Sequence, residues 1–293
     1  MVELKKCPAC QNKDIKSYLN TKDYFFTGEE FSLWKCNNCQ LIFTNPRPEE
    51  ELLGKYYQTE AYLSHHTNSF SPVSLVYRMV RKVNITKKYN TVSEYKKGKN
   101  ILDIGCGTGE LLRFFNEKGW NTTGVEPDTE ARKFAKEQNN ITVYDLDFLE
   151  KPEKKYDVIS MWHVLEHVSG LNQRMETVNH LLKEDGVLVI ALPNIEAHDA
   201  LYYGKYWAAL DVPRHLYHFS SASLKNLINK HGFHLITEIP MKFDVFYVSW
   251  LSERYKGCKV PFLKGLIKGF GFNRKARKDG QYSSKIYILG KSQ

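Results

Sequence analysis

The sequence predicts an α/β fold, a largely parallel sheet with helices on its faces and a small cysteine-bearing module in front, on three observations. Short apolar runs alternate with helical patterns from residue 99 onward. One of these runs ends in a glycine-rich turn that opens a helix. Four of the six cysteines form two Cys-x-x-Cys pairs near the start.

Taken in order, the chain of 293 residues divides into three parts, a prior set by the usual size of a domain. Residues 1–48 carry the cysteine pairs among aromatic and β-branched residues, as in Tyr18-Leu19 and Phe31-Ser32-Leu33-Trp34, which reads as short strands and hairpins. Asn45-Pro46-Arg47-Pro48 breaks any regular element. Residues 49–98 read as a helical connecting or cap segment. There Leu75, Val76, Met79, Val80 and Val83 form an apolar stripe beside Arg78, Arg81 and Lys82, suited to packing on the main domain and less to a membrane surface.

Residues 99–293 form the main domain. Its strand candidates are Asn100–Ile104, Thr122–Val125, Ile141–Tyr144, Tyr156–Met161 and Val187–Leu192. The helix before the last of these carries Leu171, Met175, Val178 and Leu182 at helical spacing, with Asp185-Gly186 as its stop. Ser220 and Ser221 offer caps for a helix bearing Leu224, Leu227 and Ile228 and ended by Gly232. Phe233–Ile239 and Lys285–Leu289 supply a terminal antiparallel pair, with a basic insertion near 241–283 between them.

Composition narrows the function classes. No apolar run approaches the roughly 18 residues a membrane span needs, and Met1-Val2-Glu3-Leu4-Lys5-Lys6 lacks the apolar block of a signal peptide, so a cytoplasmic protein with no transmembrane segment is expected. Six cysteines are too few for a disulfide scaffold and suit metal binding in a reducing compartment. The net charge of +9 is uneven, because Arg254 to Lys278 holds nine Lys and Arg and no acid. Such a block attracts an anionic acceptor, nucleic acid or a membrane surface, or else is a solvated insertion.

The glycine turn lies in Ile101-Leu102-Asp103-Ile104-Gly105-Cys106-Gly107-Thr108-Gly109-Glu110. Its glycines let ligand atoms approach the backbone at a helix start. A dinucleotide fingerprint needs a glycine where Glu110 stands. The pattern instead resembles motif I of the class I S-adenosylmethionine-dependent methyltransferases. That resemblance implies a Rossmann-like seven-stranded methyltransferase sheet, with S-adenosylmethionine bound by Asp103, Gly105, Cys106, Gly107, Gly109, Glu126, Asp147, Trp162 and His163. Asp103 suits the ammonium of the cofactor's amino-acid tail and Glu126, after the second strand, its ribose hydroxyls. Asp147 matches the position that meets the adenine amino group, with Asp145 as the neighbouring alternative. The resemblance extends through Tyr156 to His167 and Ala191-Leu192-Pro193-Asn194.

Cys7, Cys10, Cys36 and Cys39 offer four thiolates at knuckle spacing, which satisfy tetrahedral zinc with no position left for substrate; the expected cofactor is a structural Zn2+ in a small N-terminal zinc ribbon. Bacterial methyltransferases of saccharide and secondary-metabolite pathways carry a similar ribbon, followed by a segment like Cys39-Gln40-Leu41-Ile42-Phe43-Thr44-Asn45-Pro46-Arg47-Pro48. Asp211-Val212-Pro213-Arg214-His215-Leu216-Tyr217-His218-Phe219-Ser220 is similar to another element of that group. The resemblance favours a small-molecule or saccharide-linked acceptor over RNA bound through the ribbon and the basic block; a hydroxyl is the leading site of methylation, with N- or C-methylation open. A noncatalytic S-adenosylmethionine-binding regulatory module is the remaining alternative.

Methyl transfer asks little of the protein beyond orientation and a base for a hydroxyl acceptor. The long connection from Ile195 to Phe219 follows the fifth strand and is placed over the mouth of the site. In it His215 is the expected base, with His163 as the main alternative, and Tyr206, Trp207, Arg214 and Tyr217 are expected to hold the substrate. His163-Val164-Leu165-Glu166-His167 also spells an inverted zinc-protease motif. It follows a nucleotide-site strand rather than lying within a long helix, so the protease reading is set aside.

Overall fold

The computed structural model describes residues 1–57, 72–96, 98–150 and 154–292, and of residues 72–82 the backbone alone. The chain opens with β1 (Ile15–Lys22), β2 (Glu30–Cys36) and β3 (Ile42–Thr44), followed by α1 (Glu50–Leu53) and α2 (Pro72–Tyr95). Of the apolar stripe expected on α2, all side chains but Val83 lie outside the described residues. Farther along, Ile85, Tyr89 and Val92 pack on the main domain, with the Tyr89 ring 5.0 Å from that of Phe115.

The main domain alternates strand and helix: β4 (Asn100–Ile104), α3 (Glu110–Glu117), β5 (Asn121–Val125), α4 (Thr129–Asn139), β6 (Val143–Tyr144), β7 (Tyr156–Trp162), α5 (Leu171–Leu181) and β8 (Leu182–Pro193). Then come α6 (His198–Tyr203), β9 (Tyr217–His218), α7 (Ser221–Lys230), β10 (Phe233–Pro240), α8 (Asp244–Tyr255), α9 (Pro261–Asp279) and β11 (Ser284–Lys291). Seven strands form one Rossmann-like sheet in the order β10-β11-β8-β7-β4-β5-β6. Every pairing is parallel except those of β11, which runs antiparallel to both β8 and β10.

Burial follows from this arrangement. All seven residues of β7 are buried, as a central parallel strand covered on both faces requires. Ile159, Met161, Leu188 and Ile190 join the core on one face, and Val158, Val187 and Val189 the core on the other. The strand order reverses between β4 and β7, so their carboxyl ends leave the crevice where open α/β sheets bind ligands.

Three elements differ from the sequence reading. α5 ends at Leu181, and Leu182 already pairs with Tyr156, so Asp185-Gly186 lies inside a long β8 whose pairing with β7 is irregular between Tyr156 and Val158. β6 shortens to Val143–Tyr144, with Ile141 buried ahead of it. The basic stretch suggested as a solvated insertion folds into α8 and α9. At α7, by contrast, Ser220 caps as expected, its side chain accepting from Ser223 N–H at 3.1 Å.

A second sheet joins β1, β2, β3 and β9 in that order. Its last strand comes from the long connection after β8, with Ile42 opposite His218 and Phe43 opposite Tyr217. Thr44 Oγ1 donates to the His215 carbonyl at 2.8 Å, and Lys230 Nζ to that of Ala9 at 2.6 Å. The N-terminal module is thus bonded directly to the connection and to α7.

Candidate functional site

The glycine turn after β4 builds the first half of the site. Gly105 and Gly107 take left-handed φ of 73° and 53°, which side chains resist. A Cβ on Gly105 would collide with Val164, whereas one on Gly107 would meet nothing within 4 Å, so the space above Gly107 is open to a ligand. Gly109, also left-handed, begins α3. The Cys106 thiol lies beside this turn, pushed above its usual range by burial.

Two carboxylates face that cradle. Asp103 is 3 % exposed and receives the Ser160 hydroxyl at 2.6 Å. Burial pushes its carboxyl up to about 6. Glu126, just after β5, accepts from Gly107 N–H at 2.9 Å and from Asp128 N–H at 3.0 Å, and burial raises it as well. Asp145 accepts from Asp147 N–H at 3.2 Å as the cap of a short turn, while the Asp147 side chain is exposed. Trp162 lies at the end of β7 with its buried indole N–H donating to nothing. An unused donor, an open glycine cradle and two carboxylates fit a ligand with a nucleoside and a charged amino-acid tail.

Lys88 is a neighbour that sequence reading missed. Its ammonium stands 4.5 Å over the Trp162 ring, and the charges of Asp103 and Asp244 oppose the lowering that burial imposes on it. The helical pattern of 49–98 located α2 but gave no sign of which lysine turns toward the cradle.

The turn after β7 and the connection before α7 build the second half. His163, at φ 57°, holds Nδ1 3.4 Å from Glu166 Oε1 and Nε2 3.4 Å from Asp244 Oδ2. Burial alone would lower it, yet the two carboxylates raise it to about 9, so it is cationic at neutral pH. Glu166 is 1 % exposed, and neither of its oxygens accepts a well-formed hydrogen bond. His167 Nδ1 lies 3.0 Å from the Arg214 carbonyl and 3.0 Å from the Tyr57 hydroxyl. A carbonyl only accepts, so Nδ1 carries the proton and Nε2 a lone pair. Burial and His215 depress His167 to about 4. His215 is placed alike, with Nδ1 2.9 Å from the Ala209 carbonyl, and its ring centre is 4.6 Å from that of His167. One donor atom each from Glu166, His167 and His215 lie within 4.8 Å of one another, a two-histidine, one-carboxylate set that could hold a divalent cation.

Three of the residues expected to bind the acceptor have partners within the protein. Arg214 is 2 % exposed and pairs with Asp23 at 2.9 Å and Asp211 at 2.7 Å. Trp207 is buried and donates to Asp199 Oδ2 at 2.8 Å. The buried Tyr217 hydroxyl donates to the Ser169 carbonyl at 3.0 Å and accepts from Arg47 at 3.1 Å. Flat or charged side chains in a long connection suit ligands and small cores alike, and here they tie the connection to α6, to the N-terminal module and to the turn before α5. Tyr206 is half-buried against the Tyr24 ring at 5.3 Å.

The four pair cysteines converge in the module. Cys7 and Cys39 sulfurs are 3.5 Å apart, those of Cys10 and Cys36 3.6 Å, and all four fall within one 4.8 Å group. After each pair a glutamine, Gln11 or Gln40, turns left-handed and returns its N–H to the first cysteine's carbonyl. Four thiols at this separation fit a tetrahedral zinc ion with Zn–S of about 2.3 Å.

Comparison with known proteins gives a consistent result. A family model described as a methyltransferase domain matches residues 77–238. An uncharacterized methyltransferase of Anoxybacillus flavithermus is 31 % identical, over 57 % of this chain and 82 % of its own length. A ubiquinone biosynthesis O-methyltransferase of Actinobacillus pleuropneumoniae is 30 % identical, over 57 % and 75 %. An uncharacterized Methanocaldococcus jannaschii protein is 37 % identical, over 35 % of this chain and 40 % of its own length. Among solved structures, magnesium protoporphyrin IX methyltransferase of Synechocystis with bound S-adenosylhomocysteine shares the fold at TM-score 0.55 and 13 % identity, over 83 % of this chain and all of that one.

Proposed function

Since the chain belongs to the methyltransferase-domain family and carries its Rossmann-like fold, we propose that it transfers the methyl group of S-adenosylmethionine to a hydroxyl of a saccharide or other small metabolite. The observation that carries this reading is the juxtaposition of the glycine cradle, with Asp103 and Glu126, and the Glu166–His167–His215 cluster across the ends of β4 and β7. S-adenosylmethionine supplies an activated methyl group when bound. Asp103 would hold its ammonium and Glu126 its ribose, with Gly105, Cys106, Gly107 and Gly109 around the tail, Asp147 toward the adenine, and Trp162 and Lys88 beside the amino acid.

In this reading His215 takes the acceptor proton on Nε2. His163 is cationic between Glu166 and Asp244 and has no lone pair to offer, which ranks it below His215 as a base. A screen of metabolite and RNA fractions with labelled cofactor tests the acceptor class. With the acceptor found, His215→Ala should lower kcat by at least about 10² while cofactor affinity holds. Near-normal kcat would remove His215 as the base.

The buried Glu166, whose ion pair with His163 at 3.4 Å leaves its oxygens without a well-formed hydrogen bond, favours a second reading, in which a divalent cation on Glu166, His167 and His215 draws the acceptor oxygen and His215 is a ligand. The two readings part on chelation: activity lost to mild chelator and restored by Mn2+ or Mg2+, with His167→Ala as damaging as His215→Ala, selects the cation. Labelling of RNA alone would instead select the nucleic-acid alternative.

Asp103 gives a test of the cofactor half. A buried carboxyl at about 6 instead of 3.8 costs roughly 3 kcal/mol at pH 7 in the empty protein. Because its folded-state value is raised, that cost is absent below about pH 4 and complete above about pH 6. Asp103→Asn is therefore expected to raise the melting temperature of the cofactor-free protein while weakening S-adenosylmethionine at least about tenfold. Calorimetry reads both, and unchanged affinity would remove Asp103 from the cofactor site.

A further inference from the structure

Helix α9 leaves an apolar face in solvent. Phe262 is 66 % exposed, Leu263 57 %, Ile267 62 % and Phe270 63 %, with Leu266 also exposed. The opposing positions Gly265, Gly269, Phe272 and Ala276 are buried. A Cβ on Gly265 would lie 2.6 Å from the Trp250 backbone and one on Gly269 2.6 Å from the Phe246 ring, so these glycines seat α9 closely on α8 and fix which face turns outward. At about 100° per residue the packing face and the apolar face lie roughly a third of a turn apart. Lys264 and Lys268 lie on the far side, engaged by Glu253 at 3.2 Å and the Tyr202 ring at 4.4 Å, with Lys275 beside them, and Arg274 and Arg277 extend the apolar line toward the helix end.

We propose that this face seats α9 in the interfacial layer of an anionic lipid bilayer. Charge selects that occupant: Arg254 to Lys278 carries nine basic residues and no acid, in the same segment as the apolar ridge. An interfacial helix combines these two features, apolar side chains entering the acyl boundary and basic residues on the same side, here Arg274, Arg277 and Lys278, meeting lipid phosphates. Nucleic acid would use the lysines but has no partner for Leu263, Leu266 and Ile267. A second copy of the chain would bury the ridge but oppose two like-charged margins. Among the described residues no helix is long and apolar enough to cross a membrane, so the contact lies on the surface. Rings continue the patch from Phe262 through Trp250 to Tyr247 on α8, at 6.4 and 5.9 Å. The same α8 starts at Asp244, 3.4 Å from His163, so the lipid-facing hairpin borders the acceptor side. The lipid contact stands on the hairpin alone. That an acceptor borne on a lipid would be presented there rests on the methyl-transfer reading.

Co-sedimentation of the full chain with vesicles tests it without any acceptor. Vesicles of phosphatidylcholine with about 30 % phosphatidylglycerol should bind it at least about tenfold better than phosphatidylcholine alone, and added salt should weaken the binding. Ile267→Glu with Phe270→Glu should cut partitioning at least about tenfold, while cofactor affinity stays unchanged and the melting temperature falls by no more than the loss of the Phe270–Phe246 ring contact accounts for. Arg277→Glu with Lys278→Glu should remove most of the salt dependence. Absence of binding to the anionic vesicles, or binding indifferent to the Ile267 and Phe270 changes, overturns the proposal. RNA binding or self-association that depends on α9 in a protein ignoring vesicles would likewise overturn it and assign the face to that partner.

Discussion

Cys36→Ser is expected to empty the zinc site we propose at Cys7, Cys10, Cys36 and Cys39 and to unfold the N-terminal module. A structural zinc centre supplies roughly 10 kcal/mol or more of the folding free energy of a small domain, and three thiolates with a serine hydroxyl hold the ion far more weakly. Elemental analysis should fall from one zinc per chain to a small fraction, and amide exchange should rise across β1, β2 and β3. It should rise also at residues 215–218, because Thr44 Oγ1 reaches the His215 carbonyl and β3 pairs with β9. The cradle around Gly105 to Gly109 lies on the other sheet, so cofactor affinity should change little while acceptor turnover falls at least about tenfold. A metal-free variant that keeps the protection of residues 1–45 would remove zinc from this account.

The second large effect is at Arg214. Its guanidinium is buried between Asp23 and Asp211, donates also to the Tyr56 carbonyl at 3.1 Å, and stacks 4.9 Å over the Phe25 ring. Arg214→Met keeps much of the volume but leaves the Asp23 carboxylate buried without its counter-charge, a loss of about 3–5 kcal/mol. Denaturant unfolding of the whole chain measures it. Asp211→Asn with Arg214→Met should recover part of the loss, since one of the two carboxylates left without a counter-charge is then neutral. A single-variant loss below about 1 kcal/mol would show that water reaches this pair.

The sheet was legible because its signals are local. The apolar runs at β4, β7 and β8 and the caps at Ser220 stand within a few residues of the elements they specify. The cradle was legible for the same reason, since Gly105 to Gly109 state a backbone shape in consecutive letters. The acceptor side was not. Arg214, Trp207 and Tyr217 look the same in sequence whether they face a ligand or a core. The partners Asp23 of Arg214 and Ser169 of Tyr217 stand 191 and 48 positions away, separations that no local pattern encodes. Glu166 and His167 likewise sat in a recognisable motif, but the third member of their cluster is His215, from another segment, while the motif's His163 lies between Glu166 and Asp244.

The sharing of a sheet between β3 and β9 bears on synthesis. A ribosome releases residues 42–44 long before their partners, the bond from Thr44 to His215 spanning 171 positions. Through that interval β3 presents an open strand edge, the kind of edge that recruits other chains. The four cysteines need only the first 39 residues to meet, so metal capture can close the module while most of the chain is still unmade. In zinc-starved cells this protein should fail as a nascent chain, accumulating in aggregates, before any finished molecule loses its ion.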